Sequence, residues 1–318
     1  MAYHERTADA AKGKWRGILL SFGLPEACLK DRHGPCPLCG GVDRFRWDNK
    51  DGRGTYICGQ CGAGDGFKLA CEFTGKSWKE VSDEIDAIVG NLKIDAMRPA
   101  LTAGDVRRLM IETYRQTVPV TAGDLVHRYL ASRSVEELIY PAALRFGASL
   151  RDGEGGVRPC MVAMVGVYGD LDDRGQHRFV SMHRTFLRPD GSAKADMAAP
   201  RKMMPGEMPE GACVMLSEWT GAGTIGIAEG IETAMAASAI FGVPVWAAIS
   251  SAMLAKWTPP PGAEEVAIFG DNDAKFGGQA AAYSLAHRLS VKGMPVTVSI
   301  PEVTGDDWND VLRRRARA

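Results

Sequence analysis

Four cysteines stand in two matched pairs, Cys36-x2-Cys39 and Cys58-x2-Cys61, with eighteen residues between them. A tight turn in each pair brings two thiolates together, and two such knuckles complete a tetrahedron around Zn2+. Four thiolates leave no open coordination position, so the expected zinc is structural. His33 precedes the first pair and is expected to be a loop residue rather than a ligand. Cys28, Cys71, Cys160 and Cys213 have no partner spacing and are expected to pack as small apolar groups.

A second set of groups is acidic. Glu229 follows the apolar segment Ile225–Ala228, Asp271 and Asp273 follow Val266–Phe269, and Asp307 lies in the turn after Val296–Ile300. If these segments are parallel strands, their carboxyl ends share one edge of a sheet, where ligands bind in such folds. Carboxylates gathered there repel one another unless cations sit between them. Hard oxygen ligands suit Mg2+ or Mn2+. Asp307 also stands where a helix cap would stand.

Positive charge is local rather than global. The formal charge is −1, yet residues 174–202 carry seven Lys or Arg against two acids. His183, Arg184, Lys194, Arg201 and Lys202 in this stretch are candidates to face a triphosphate or a nucleic-acid backbone. Between the cysteine pairs, Arg44-Phe45-Arg46-Trp47 and Tyr56 alternate cation and aromatic. That combination can stack bases and neutralise phosphates, or serve as a half-buried strand with solvated arginines.

Three further patterns are discounted on context. Ala70-x4-Gly75-Lys76-Ser77 resembles a phosphate loop, but Phe67–Phe73 has helical character, Gly75 stops it, and Ser77 opens another helix with capping-box spacing. Gly221-x-Gly223-x2-Gly226 lies before its apolar strand, where a dinucleotide fingerprint would follow one. The aspartates of Gly169–Gly175 shape a hairpin turn, since Ser181 stands where a calcium loop needs its glutamate.

The elements that must position these groups follow from periodicity. Residues 1–90 contain an N-terminal helix, the ribbon and a closing helix, and a linker is expected over 91–100. Residues 101–150 are expected to be mostly helical, from Val106, Leu109, Met110 and Tyr114 and from Leu125, Tyr129 and Leu130. Strands are expected at Met161–Tyr168 and Arg178–Phe186. From residue 221 short apolar strands alternate with helices (231–240, 251–257, 277–291 and 307–314), which implies a parallel sheet covered on both faces. The expected fold class is a multidomain α+β chain with a four-cysteine zinc ribbon, a helical and strand-rich middle over 101–220, and a C-terminal α/β domain over 221–318. Hydrophobic residues at 45% and charged ones at 24% are ordinary for a soluble protein and exclude wholesale disorder. No signal peptide or membrane span is expected, which places the chain in the cytoplasm and its cysteines outside disulfides.

Glu229-Gly230-Ile231-Glu232, Asp271-Asn272-Asp273 with Gly277-Gly278, and Gly305-Asp306-Asp307-Trp308-Asn309-Asp310 resemble the three motifs of the topoisomerase–primase (Toprim) domain. Cys36-Pro37-Leu38-Cys39-Gly40-Gly41 with Asp43-Arg44-Phe45-Arg46 resembles the ribbon of zinc-binding primases of phages, plasmids and integrative elements. His183-Arg184-Thr185-Phe186-Leu187, with Lys194 and Arg201-Lys202, resembles the strand-rich half of their catalytic core. The resemblance implies RNA-primer synthesis on single-stranded DNA from nucleoside triphosphates, with a replicative helicase supplied in trans. It implies that Asp271, Asp273 and Asp307 hold Mg2+ or Mn2+, and that Glu229 is a further ligand or the base. Arg184, Lys194, Arg201 and Lys202 would hold triphosphate and template, and the ribbon would select the initiation sequence. Two features depart from parts of the family: all four ribbon ligands are cysteines where bacterial replicative primases use one histidine, and no helicase segment is expected within these residues. The alternative from another class is a non-catalytic DNA-binding or recombination-mediator protein; a Toprim nuclease is the third.

Overall fold

The computed structural model describes residues 2–95, 101–172, 175, 177–206 and 208–316, with the backbone alone for residues 2–6. Much of the 91–100 linker and the basic residue Arg174 therefore lie outside the described residues. The chain divides into two compact units, Met1–Thr102 and Ala103–Ala318.

The first unit opens with α1 (Ala2–Ala11) and α2 (Trp15–Ser21). A four-stranded antiparallel sheet follows: β1 (Gly34–Cys36), β2 (Gly40–Trp47), β3 (Tyr56–Cys58) and β4 (Gly62–Gly64). Helices α3 (Gly66–Thr74) and α4 (Trp78–Ile88) close it. Gly75 ends α3 in the left-handed region at φ 71°, and Ser77 forms a capping box with Glu80 at the start of α4, so this segment is a helix junction and not a phosphate loop. The core gathers Trp15, Ile18, Leu19, Phe45, Tyr56, Phe67 and Ile85. Trp15 lies so close to Gly66 that a Cβ there would come within 2.2 Å of its ring, which ties α2 to the start of α3.

The second unit begins with α5 (Ala103–Arg115), β5 (Val118–Pro119), α6 (Leu125–Ser132) and β6 (Leu144–Arg151). Two long strands follow, β7 (Val157–Leu171) and β8 (His177–Phe186), and then β9 (Arg201–Met203). Strands β5 to β9 form an antiparallel sheet in sequence order. Residues 101–150 are thus less helical than expected. Strand β6 was obscured because a register irregularity between Gly147 and Leu150 breaks its alternation. The hairpin turn is also shorter than Gly169–Gly175, since β7 runs on to Leu171.

The remainder is β10 (Gly223–Ala228), α7 (Ile231–Phe241), β11 (Val245–Ala247), α8 (Ser251–Lys256), β12 (Ala263–Phe269), α9 (Gly277–Ser290), β13 (Val296–Ser299) and α10 (Trp308–Arg315). All four strands are parallel, in the order β11-β10-β12-β13. Both faces are buried: Ile225, Ile227, Val266 and Ile268 join one apolar cluster, and Ala228, Val245, Ala247 and Phe269 another. The two sheets are stitched at consecutive residues. Cys213 exchanges backbone hydrogen bonds with Gly166 of β7, and Val214 exchanges them with Ala247 of β11. This junction fixes the antiparallel sheet against the parallel one. Among the described residues no helix is long and apolar enough to cross a membrane.

Candidate active site and zinc centre

The ribbon turns carry the cysteines as their spacing requires. The Leu38 amide donates to the Cys36 sulfur, and the Gln60 and Cys61 amides donate to the Cys58 sulfur, each at 3.4 Å. All four sulfurs lie within 4.8 Å of one another, with Cys36–Cys61 at 3.9 Å and Cys39–Cys58 at 3.7 Å. A tetrahedral site with metal–sulfur bonds of about 2.3 Å has edges of roughly 3.8 Å, so the donor set fits zinc. Burial pushes the Cys58 thiol up to about 12, and the charges of Cys36 and Cys39 add to the shift. A buried thiol that resists ionisation, as Cys58 does, is stabilised as the thiolate by a cation. His33 is a loop anchor, its Nδ1 lying 2.8 Å from the Asp43 carbonyl oxygen.

The expected stacking role of Trp47 is corrected. Phe45, Trp47 and Tyr56 are all buried, with Phe45 and Tyr56 stacked at 5.4 Å. Alternation along β2 sends these aromatics inward and places Val42, Arg44 and Arg46 on the other face, beside Ile57. Arg46 is paired with Asp31 at 2.6 Å, and Arg44 reaches Gln60 at 3.4 Å.

In the parallel sheet, Ala247, Ala228, Phe269 and Ser299 end their strands in register, forming one row. Glu229 leaves this row directly, and Asp271 follows Phe269 by two residues, across Gly270. The Ser251 hydroxyl donates to Glu229 Oε2 at 2.5 Å. The Asn272 amide donates to the Asp306 carbonyl at 3.0 Å, and the Gly305 amide to the Asn272 carbonyl at 2.7 Å, which joins the two acidic loops. Asp273 Oδ2 accepts from the Gly278 amide at 2.8 Å at the start of α9. Gly278 permits this approach, because a Cβ there would lie 2.6 Å from the Asp271 carbonyl oxygen. Asp307 caps α10, its Oδ1 accepting from the Asp310 amide at 2.8 Å.

Asp271 is the electrostatic centre of the edge. Among the described residues its Oδ1 is buried with no hydrogen-bond donor. Burial raises its pKa well above the carboxylate range, and Glu229, Asp307 and Asp273 raise it further while Arg201 opposes them. Burial raises Asp307 too, opposed by the hydrogen bond from the Asp310 amide and by Arg133, while the charges of Asp310 and Glu232 add to the rise. A buried, donor-less carboxylate oxygen amid three other acids suits a hard cation. The acids share one field without closing into a cage: among the described residues, the four thiols are the one set of three or more candidate ligands within 4.8 Å of each other.

The expected basic set divides between two faces. Directly paired residues in an antiparallel sheet share a face, and the next row takes the other. Leu144–Ala163–His183–Met203 and Phe146–Met161–Thr185–Arg201 are alternate rows and share one face. Arg145–Val162–Arg184–Lys202 lies between them and takes the other. His183 and Arg201, with Lys194, stand beside Glu232, and Arg201 also acts on Asp271. Arg184 and Lys202 are not brought to the acids. Arg184 donates to the Arg151 carbonyl at 3.3 Å, and Lys202 to the Asp152 carbonyl at 2.7 Å and to Glu154 at 3.1 Å.

Glu232, Tyr129 and Arg133 stand at this site although the sequence alone assigned none of them a role there. Glu232, on α7, pairs with Lys194 at 3.2 Å and accepts a hydrogen bond from the Tyr129 hydroxyl. Arg133 follows α6, held by Asn309 Nδ2, which donates to its carbonyl at 2.7 Å. A lone acid in the first turn of an otherwise apolar helix was the available signal for Glu232, because a buried charge needs a partner.

Residues 224–318 match the Toprim domain, residues 31–67 the zinc-binding domain of primase-helicase, and residues 105–215 a domain of unknown function (DUF7146). The chain therefore combines a primase-type zinc ribbon with a C-terminal Toprim domain. Among solved structures it is similar to the Aquifex aeolicus primase with its zinc-binding and RNA polymerase domains, at 16% identity over 89% of this chain and 75% of that one, with a TM-score of 0.40. It is also similar to the primase fragment of the bacteriophage T7 primase-helicase protein, at 15% identity over 90% and 96%, TM-score 0.39. A DNA primase domain from Pseudomonas aeruginosa matches at 16% identity over 54% and 55%, TM-score 0.34.

Proposed function

We propose that this protein synthesises short RNA primers on single-stranded DNA by metal-dependent nucleotidyl transfer. The observation that carries the proposal is the buried Asp271 oxygen, without a donor among the described residues, in a field shared with Glu229, Asp273 and Asp307 and opposed by Arg201. In the reaction a 3′-hydroxyl attacks the α-phosphate of a nucleoside triphosphate and pyrophosphate leaves. Asp271, Asp273 and Asp307 would hold Mg2+ or Mn2+, which when bound makes the hydroxyl more acidic and offsets charge on the leaving oxygens. Glu229, oriented by the Ser251 hydroxyl, stands at the same edge to share in cation binding or to take the hydroxyl proton. Arg201 and Lys194 supply the positive charge that holds the triphosphate.

The ribbon would be held by one Zn2+ and would contact the template through its outward face, with Arg44 and Arg46 toward phosphates. A replicative helicase acting in trans would deliver single-stranded DNA. Incubation with single-stranded DNA of varied sequence, labelled nucleoside triphosphates and Mg2+ or Mn2+ tests the reading. Short, template-dependent RNA oligomers are expected. Template binding without any new oligomer would favour a non-catalytic DNA-binding protein, and cleavage of the DNA would favour a nuclease.

A further inference from the structure

Helix α7 buries residues on every side, from Ile231 to Ala237, and Glu232 is the charged member of that buried run. Isolated, a carboxylate in such a place would be strongly disfavoured. Glu232 Oε1 instead takes two donors from two other elements: the Tyr129 hydroxyl from α6, and Lys194 Nζ at 3.2 Å from the segment between β8 and β9. The Glu232 side chain is 11% exposed and that of Lys194 33%, so the pair has a dry acidic end and a wetter basic end. The Lys194 backbone is tied down independently by its bridge to Leu187. Beside the pair lie Arg201 and the buried His183, and Glu232 also acts on Asp307 of the acidic edge. The ion pair thus sits where the basic face of one sheet meets the acidic edge of the other.

We propose that Glu232 is a positioning residue, which with Tyr129 fixes the Lys194 ammonium for contact with the triphosphate and does not itself hold the divalent cation. This rests on the nucleotidyl-transfer reading of the same site. The charge of Glu232 is already matched by Lys194 and reinforced by Arg201, which leaves it a poor ligand for a further dication. Asp271, by contrast, has a buried Oδ1 with no hydrogen-bond donor among the described residues.

The test is equilibrium binding of ATP with MgCl2 by calorimetry, paired with the Mg2+-induced shift in thermal unfolding without nucleotide. Glu232→Gln should bind ATP roughly tenfold more weakly, the loss expected when one charge-assisted phosphate contact is misplaced, yet keep the wild-type Mg2+ shift. Lys194→Met should lose as much, and Glu232→Gln/Lys194→Met no more than either single variant, because the two act as one unit. The double variant also leaves no unpaired buried charge, so it reports on binding even if Glu232→Gln fails to fold. Wild-type ATP affinity in Glu232→Gln would overturn the proposal, as would loss of its Mg2+ shift, which would make Glu232 a metal ligand. Wild-type protein that binds no ATP would overturn the triphosphate site and this inference together. Oligomer synthesis failing while the ATP pattern holds would overturn the primase reading alone.

Discussion

Arg201 and Lys202 are neighbours in the chain and lie on opposite faces of one sheet, Arg201 in a row with Thr185 and Lys202 in a row with Arg184. Arg201 is exposed and acts on Asp271, whereas Lys202 is fixed by the Asp152 carbonyl and Glu154. Substitution should separate them. Arg201→Ala is expected to weaken ATP binding about tenfold with little change in stability. Lys202→Met should leave ATP affinity within about twofold and cost about 1 kcal/mol, because the carbonyl of the buried Asp152 loses its donor. Calorimetry and denaturant unfolding of the two variants measure both quantities; equal loss of ATP affinity would refute the division by faces.

Asp307 has two duties that one substitution can part. It caps α10 and it contributes charge to the acidic edge. Asparagine caps a helix about as well as aspartate, so Asp307→Asn should keep stability within about 0.5 kcal/mol. Primer synthesis should nevertheless fall by orders of magnitude, because the charge is gone. An Asp307→Asn protein with wild-type synthesis would reduce Asp307 to a cap.

The ribbon should hold one equivalent of zinc, measured by chelator-dye release after thiol modification. Cys58→Ser removes one ligand from the buried set and is expected to lose the metal and the near-ultraviolet signal of Trp47 and Tyr56. Full zinc retention by Cys58→Ser would contradict the four-thiolate assignment.

What was legible in the sequence was local. The cysteine pairs needed only their spacing, and the acids needed only their positions after apolar strands, because parallel strands end at one edge whatever their order. Faces and partners were not local. Whether Arg184 or Arg201 reaches the acids depends on pairing with β7 and β9, and a single residue of slip exchanges them. Trp47 carries its signal in the strand's own alternation. Phe45 and Trp47 share one parity along β2 and the arginines the other, which marks the aromatics as the inward set. Arg133 and Tyr129 meet their partners Asn309 and Glu232 more than a hundred residues away in sequence, a separation that no local pattern spans.

The buried carboxylate of Asp271 offers the most direct measurement. Its pKa is raised in the folded protein, so the stability it contributes is present at acid pH and is lost as pH rises through the raised value. In chelator, thermal stability of the second unit should therefore decline from about pH 4 upward, the range in which an unfolded carboxylate has already lost its proton. Mg2+ at a hundredfold excess over its Kd should restore about 2.7 kcal/mol, or roughly 5–10 °C, with the larger shift at the higher pH where protons no longer compete. Asp271→Asn removes the repelled charge without changing shape. It should unfold at a higher temperature than wild type in chelator at pH 8 and show no Mg2+ shift. A wild-type protein indifferent to Mg2+ at pH 8, or an Asp271→Asn variant that responds to Mg2+ as wild type does, would contradict a divalent-cation site at this edge.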